Sequence, residues 1–373
     1  MIGDSSTTDL DTMLLALACA EHSIGVSDPN PRVGCVILAS DRRELGRGHT
    51  QQAGGPHAEV VALGAARGAG HEVRGATVYV TLEPCSHHGR TPPCCDALIE
   101  AGVARVVVAV GDPNPLVGGL GIARLRAAGM RVDVGLLADE ARELNIGFFS
   151  RMLRARPWVR MKIAGSLDGR SALDNGVSQW ITGGPARIDG HAWRKRASAV
   201  LTGVGTVLED NPRLDVRHVD TLLQPLRVVV DSRLETPVGA HILDTPGTVL
   251  LYAAVPDEAR AAALRARGAQ IALLPGSHGK VDLAAMLDDL GSRGMNELHV
   301  EAGHKLNGSF LREGLVDEFL IYLAPKMLGQ GRGLAAFGPL ERLEDALELR
   351  FHGIERVGDD LRIVARPPGR ECF

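Results

Sequence analysis

The pattern that most restricts this chain is His57-Ala58-Glu59, then Pro84-Cys85 and, after eight intervening residues, Cys94. An imidazole and two thiols so spaced can act together only in a fold that brings three segments to one point. Zinc takes such ligands, and a catalytic zinc site keeps its fourth position for water. Two thiolates roughly neutralise Zn2+, so the ion is held firmly and still acidifies its water. Glu59 stands two residues from His57, close enough to take a proton without being a ligand.

Local signals support the grouping. Gly54-Gly55-Pro56 precede His57, which puts His57 and Glu59 on the first turn of a helix expected over 58–69. Pro92-Pro93 precede Cys94, a natural helix start. A helix N-terminus favours a thiolate there. Cys85 follows a strand expected over 76–82. The metal ligands His57, Cys85 and Cys94 therefore come from the ends of core elements, where an α/β sheet opens its crevice. Zinc deaminases of nucleobases carry H-x-E and P-C-x-x-C. Here the second Cys is further away, and His88 stands at the x-x spacing as a rival ligand. Cys94 is preferred because it alone has the helix-start context. Cys19, Cys35, Cys95 and Cys372 read as structural or incidental.

A chain of 373 residues suggests two domains. Helical and β-rich stretches alternate in the first part: helices over 12–22, 58–69, 96–101 and 121–128, strands over 33–38, 76–82, 103–110 and 132–134. Near residue 150 the apolar run Ile146-Gly147-Phe148-Phe149 gives way to Arg151, Arg154, Arg156 and Pro157. The expected domains are 1–150 and 151–373. A second alternating series places strands over 159–164, 199–202, 227–230, 248–252, 270–274, 297–300 and 318–323, with a surface helix over 257–268. Such alternation predicts layered α/β domains.

Composition narrows the class. Hydrophobic residues make up 45% and aromatics 3%, so Val, Leu, Ala and Ile must fill the cores. The net charge of −4, with no block of Lys or Arg, speaks against nucleic acid as a partner. No apolar run approaches the ~20 residues that span a bilayer, and Met1–Asp11 lacks a basic n-region. Six cysteines are too few for a disulfide scaffold. The expectation is a reduced cytoplasmic protein acting on a small molecule.

Longer motifs carry a family resemblance. The run Pro84-Cys85-Ser86-His87-His88-Gly89-Arg90-Thr91-Pro92-Pro93-Cys94 resembles the zinc motif of the bifunctional riboflavin-biosynthesis deaminase/reductase family. Pro29-Asn30-Pro31-Arg32-Val33-Gly34-Cys35, Pro56-His57-Ala58-Glu59-Val60 and Gly111-Asp112-Pro113-Asn114-Pro115 agree with it. So do Ser166-Leu167-Asp168-Gly169-Arg170, Ser178-Gln179-Trp180-Ile181-Thr182 and Val300-Glu301-Ala302-Gly303 in the second half.

The resemblance implies an α/β protein with a cytidine-deaminase-like three-layer domain, then a dihydrofolate-reductase-like α/β domain. It implies Zn2+ and NADPH as cofactors, a phosphorylated pyrimidine as substrate, and a homo-oligomer through the reductase domain. The absence of a G-x-G-x-x-G fingerprint agrees with a dinucleotide held in another way. Glu59 becomes the deaminase proton carrier. Asn30, Asp112 and Asn114 would hold base and ribose, with Arg90 on the phosphate, although Asp112-Pro113-Asn114-Pro115 also reads as a plain turn. Lys162 and Glu301 would flank the reacting sugar carbon. Ser178, Arg194, Arg213, Leu214, Arg217 and Glu301 would meet the substrate. Ala164, Trp180, Thr206, Asp210, Ser232 and the turn Gly303, His304, Lys305, Leu306, Asn307, Gly308, Ser309 would hold NADPH. The sequence departs from the family in two places: Gly46-Arg47-Gly48-His49-Thr50 carries its His one position early, and Leu120 replaces a basic residue.

Two other readings share these residues. A deaminase of bases in nucleic acid would use the same zinc chemistry but needs a basic contact surface. A structural zinc site, closed by His88 and attached to a nucleotide-sensing module, would need no water on the metal.

Overall fold

The computed structural model describes residues 3–86, 92–244 and 246–370. The chain divides into two compact units, Met1–Arg154 and Ala155–Glu371.

In the first unit, β1 (Gly34–Leu38), β2 (Glu44–His49), β3 (Thr77–Val80), β4 (Arg105–Val108) and β5 (Arg131–Val134) form one sheet in the order β2-β1-β3-β4-β5. The β2-β1-β3 part is antiparallel and the β3-β4-β5 part parallel. Its helices are α1 (Gly3–Glu21), α2 (Ala58–Gly68), α3 (Cys94–Glu100), α4 (Leu120–Ala127), α5 (Ala138–Leu144) and α6 (Ile146–Arg154).

Two glycines explain how the helices lie on the sheet. A Cβ on Gly34 would stand 1.9 Å from the Ala16 carbonyl of α1, and one on Gly48 would stand 2.6 Å from the Ala58 carbonyl of α2. Gly34 is paired with His49, and Gly48 with Cys35. Paired residues share a face while neighbours along a strand alternate. Hence α1 and α2 cover opposite faces, with α3 beside α2 and α4 beside α3. The result is helix, sheet, helix: three layers.

The strand β2 lacks any β-branched residue, so its sequence carries no strand signal. Its glycines serve the close approach of α2 instead. The expected boundary near residue 150 falls inside α6, whose residues 146–150 are buried while its last turn carries Arg151 and Arg154.

The second unit is built on β6 (Trp158–Ser166), β8 (Ala199–Gly203), β9 (Leu226–Val230), β10 (Val249–Ala253), β11 (Ala269–Leu273), β12 (Glu297–Val300), β13 (Glu318–Ala324), β15 (Arg350–Val357) and β16 (Asp360–Arg366). Their order is β11-β10-β9-β8-β12-β6-β13-β16-β15. From β11 to β13 every neighbour is parallel, and β16 and β15 add an antiparallel edge. A separate ribbon pairs β7 (Arg170–Leu173) with β14 (Gly331–Gly333). Among its described residues the unit also forms the helices α7 (Gly184–Arg196), α8 (Val204–Asp210), α9 (Glu258–Ala266), α10 (Leu283–Ser292) and α11 (His304–Arg312).

Parallel strands covered on both faces read as continuous apolar runs. Here Val228 and Leu250 enter one apolar cluster while their neighbours Val229 and Leu251 enter another. The chain ends of β6, β8 and β12, adjacent in the sheet, therefore open on one edge of a rigid core.

Candidate active sites

His57 is the N-cap of α2, in extended conformation (φ −76°, ψ 166°), and its side chain makes no capping bond. Its Nδ1 lies 3.5 Å from the Cys85 sulfur and 3.3 Å from the Cys94 sulfur. Cys94 opens α3 directly after Pro93, and its backbone N–H donates to the Cys85 sulfur at 3.3 Å. All three donor atoms lie within 4.8 Å of one another. Zn–N and Zn–S bonds of ~2.0 and ~2.3 Å place tetrahedral ligands roughly 3.5–3.8 Å apart. The donor set thus fits zinc with little adjustment.

Hydrogen bonds from Cys94 and His57 hold the Cys85 thiol well below the ordinary range, while sharing that proton pushes Cys94 up. A cation among the three donors favours the thiolate at both. Glu59, on the first turn of α2, is 3% exposed, and its carboxyl reaches the Cys94 thiol. Burial raises Glu59 to about 7. The protein has placed a buried, proton-carrying group beside the three donors.

The surrounding candidates divide. His88 and Arg90 lie outside the described residues. Asn30 is tied by its backbone to Ser27, whose Oγ donates to the Asn30 carbonyl at 3.2 Å. Asp112 Oδ1 accepts the Asn114 N–H at 2.8 Å, and Asn114 Oδ1 accepts the Leu116 N–H at 3.1 Å. This stretch is therefore a side-chain-capped turn beyond β4. His49 shares the face of Gly34, with its ring 5.5 Å from that of His22 at the end of α1. Its one-residue shift puts the imidazole on the opposite face from α2. Leu120 opens α4 and is 55% exposed.

A cavity of about 700 Å³ lies in the second unit beside Lys162–Ala164 of β6 and the segments that follow β8 and β12. Lys162, Ala164, Ser178, Trp180, Arg194, Thr206, Asp210, Arg213, Leu214, Arg217, Glu301, Gly303, His304 and Asn307 line it. Ser232, Lys305, Leu306, Gly308 and Ser309 are not among its lining residues. Leu306 turns inward, 3.1 Å from where a Cβ on Gly203 would stand, and Gly308 makes room for the Ala336 carbonyl at 2.2 Å from its own absent Cβ. The Ser232 carbonyl accepts the N–H groups of Ala254 and Val255. Trp180 is 61% exposed, with the Arg187 guanidinium 4.7 Å from its ring centre, so it is no core aromatic.

Charge is concentrated at Glu301. Arg194 donates to both its oxygens, at 2.5 and 2.9 Å, and Lys162 Nζ lies 3.8 Å away. Burial pushes this carboxyl up, but Arg194 and Lys162 outweigh it and hold Glu301 well below the usual range. Burial lowers Lys162, against the pull of Glu301.

Two organising carboxylates escaped the motif reading. Asp215 accepts from Arg213 at 3.2 Å and Arg217 at 2.6 Å, and its carbonyl accepts from Arg194 at 2.9 Å. The available signal was a carboxylate spaced two residues from each arginine. Glu83, directly before Pro84-Cys85, gathers four backbone N–H groups.

A zinc-type donor set on a three-layer sheet, joined to a unit with a cofactor-sized cleft on a parallel sheet, defines a two-headed deaminase and reductase. Residues 6–110 match the family described as cytidine and deoxycytidylate deaminase zinc-binding region, and residues 157–363 match the RibD C-terminal domain. Riboflavin biosynthesis protein RibD of Escherichia coli (strain K12) is 45% identical over 362 residues, 94% of this chain and 96% of that protein. The Acinetobacter baumannii RibD structure, form 1, superimposes with a TM-score of 0.88 at 40% identity, over 97% of this chain and 99% of that one. A Thermotoga maritima structure, named as a diaminohydroxyphosphoribosylaminopyrimidine deaminase/5-amino-6-(5-phosphoribosylamino)uracil reductase, gives 0.86 at 31% identity, over the same shares of both chains. The chain belongs to the RibD family of bifunctional riboflavin-biosynthesis enzymes. Its first unit is the cytidine-deaminase-like half and its second the dihydrofolate-reductase-like half, with Zn2+ and NADPH as cofactors. No described helix is long and apolar enough to cross a membrane.

Proposed function

We propose that the deaminase half hydrolytically removes the 2-amino group of 2,5-diamino-6-(5-phosphoribosylamino)pyrimidin-4-one, and that the reductase half converts the ribosyl group of the product to ribityl. The observation that carries this reading is the meeting of His57, Cys85 and Cys94, with Glu59 buried beside them. The domains are read as 1–150 and 151–373.

Zinc, held by His57, Cys85 and Cys94, would supply Lewis acidity and acidify a water. Glu59 would take the proton of the attacking water as the water oxygen bonds to the carbon bearing the amino group. It passes the proton to the ring nitrogen and later delivers one to the departing ammonia. Asn30, Asp112 and Asn114 hold base and ribose, and Arg90 meets the phosphate.

NADPH would supply a hydride to the sugar carbon. The ring oxygen released from that carbon would need a proton. Lys162 is the donor at hand, and Glu301 keeps it charged and oriented. Arg213 and Arg217 offer guanidinium forks to the substrate phosphate, with Ser178 and Leu214 beside them, and Arg194, its fork held by Glu301, adds positive charge to the same cavity. Ala164, Trp180, Thr206, Asp210, Ser232 and, from the segment Gly303–Ser309, the cavity-lining Gly303, His304 and Asn307 hold the dinucleotide.

Net charge −4 supports a free phosphorylated pyrimidine over nucleic acid. Free thiols at the metal suit a reducing cytoplasm. The exposed Phe351 and Ile354 on the edge strand β15 favour a homo-oligomer through the reductase half. The deciding experiment gives zinc-loaded protein the diaminopyrimidinone ribotide with and without NADPH. Ammonia released without NADPH, followed by NADPH oxidation that requires the deaminated product, supports both halves and their order. Zinc present with no ammonia released overturns the substrate assignment.

A further inference from the structure

Glu83 stands three residues beyond β3 and is 4% exposed. Main-chain donors surround its carboxylate. Oε2 accepts the N–H of Asp112 at 3.2 Å and of Gly119 at 2.9 Å, and Oε1 accepts those of Gly121 at 2.9 Å and Ile122 at 3.1 Å. All four donors belong to one stretch: the two ends of the loop carrying Asp112 and Asn114, and the first turn of α4. The first N–H groups of a helix lack intrahelical partners, and an anion there also complements the helix dipole. Bonds to a charged acceptor are the strong kind.

The backbone is shaped for this closure. Gly119, the N-cap of α4, has φ 79°, where glycine is free of the Cβ penalty. A Cβ on Gly121 would stand 2.0 Å from the Pro84 carbonyl. The start of α4 thus presses directly on Glu83-Pro84, and the next residue is the sulfur donor Cys85. One tripeptide ties the donor set to the Asp112–Gly119 loop.

We propose that Glu83 is a positioning residue of the deaminase. It fixes the Asp112–Gly119 loop against the Cys85 segment, so that Asp112 and Asn114 meet the substrate at a set distance from the metal. Glu83 itself touches no substrate. This inference rests on the reading of Asp112 and Asn114 as substrate-binding groups, so its test carries a separate control for that reading.

The test compares the zinc-loaded full chain with Glu83→Gln and Asp112→Ala. Expected for Glu83→Gln is a deaminase KM raised tenfold or more, with kcat within threefold, zinc content unchanged and reductase kcat unchanged. Hydrogen exchange at amides 112, 119, 121 and 122 should accelerate in the same protein. A merely structural role would instead lower kcat, zinc content and melting temperature together, and that result overturns the proposal. So does an unchanged KM when Asp112→Ala raises it. An unchanged KM in Asp112→Ala removes the underlying reading and the proposal with it. If Glu83→Gln fails to fold, Glu83→Asp is measured in its place: it keeps the charge but is too short to serve both oxygens' partners, and the same split between KM and kcat is expected.

Discussion

Arg194 grips Glu301 at both carboxylate oxygens, Nε to Oε1 at 2.5 Å and Nη2 to Oε2 at 2.9 Å. The grip comes from α7 and reaches the residue just beyond β12. It leaves Lys162 of β6 facing a carboxylate that is charged and fixed in direction. A bidentate pair has geometric specificity as well as strength. Glu301 thus acts on Lys162 as a built-in counter-charge.

Replacing that counter-charge should be visible in the pH profile. Burial already lowers Lys162, and Glu301 is the charge that raises it. In Glu301→Gln only the lowering influences remain, so Lys162 loses its proton at lower pH. The alkaline limb of reductase kcat should move to lower pH, and kcat at its optimum should fall about a hundredfold, the usual scale for one electrostatic group at a reacting centre. An alkaline limb that stays in place or moves up would contradict the assignment of Lys162 as proton donor.

Glu59→Gln and Cys94→Ser separate the proton carrier from the metal ligands. Glu59→Gln should retain zinc and lose deaminase activity by about 10²–10⁴-fold, the range for general acid–base catalysis. Cys94→Ser should lose zinc as well, since one of its three donors is gone. Zinc is measured by elemental analysis and activity by ammonia release. Reductase turnover of the deaminated product should survive in both. Undiminished deamination by zinc-loaded Glu59→Gln would remove the carboxylate from the mechanism.

The metal set was legible because each ligand carries a local signal: a helix start at His57, a proline pair before Cys94, a strand end before Cys85. The parallel strands were legible as short apolar runs, of which β4 and β9 are the richest in β-branched residues. Other features depend on partners distant in sequence. No motif reveals that Glu83 collects N–H groups nearly forty residues away, or that β2 trades strand propensity for glycines under α2. Carrying over Gly303–Ser309 as one block ignores that a helix faces several ways: His304 and Asn307 line the cavity, while Leu306 packs on the core and Gly308 meets the Ala336 carbonyl. At His49 a shift of one residue changes the face of the sheet.

Gly48→Ala tests how far the metal site depends on that close approach. The new Cβ would stand 2.6 Å from both the Ala58 carbonyl and the Ala62 nitrogen. Both are backbone atoms of α2 and cannot yield cheaply, so α2 must move, at a cost of about 1–3 kcal/mol for an overpacked contact. His57 and Glu59 begin that helix. Zinc affinity, measured by chelator competition, should fall tenfold or more, and deamination should fall with it. Unchanged affinity would mean that His57 is positioned by the loop before it.

The deepest charges of the reductase half lie away from the cavity. Arg160 is 1% exposed in β6, where it donates to Glu318 and, at 2.7 Å, to Glu297. Arg366 also reaches Glu318, at 2.6 Å, and Arg196 reaches Glu297, at 3.0 Å. Arg160→Met leaves two buried carboxylates short of a partner, and breaking such a pair costs about 3–5 kcal/mol. For a unit of this size that is a melting temperature lower by roughly 10 °C. All three tryptophans, Trp158, Trp180 and Trp193, belong to this unit, so fluorescence follows its unfolding. The pH dependence has a definite sign. Burial pushes Glu318 up, but Arg160 and Arg366 outweigh it and hold the folded value below the ordinary 4.5. Its stabilising contribution is therefore complete above the unfolded value and is lost as pH falls through the folded one. Removing Arg160 raises the folded value and shrinks that contribution. The stability gap between wild type and Arg160→Met should be wide at pH 7 and narrow towards pH 4. A gap that stays constant over this range would mean that Arg160 acts through packing on Trp193, whose ring centre lies 4.4 Å from its guanidinium, and not through its charge.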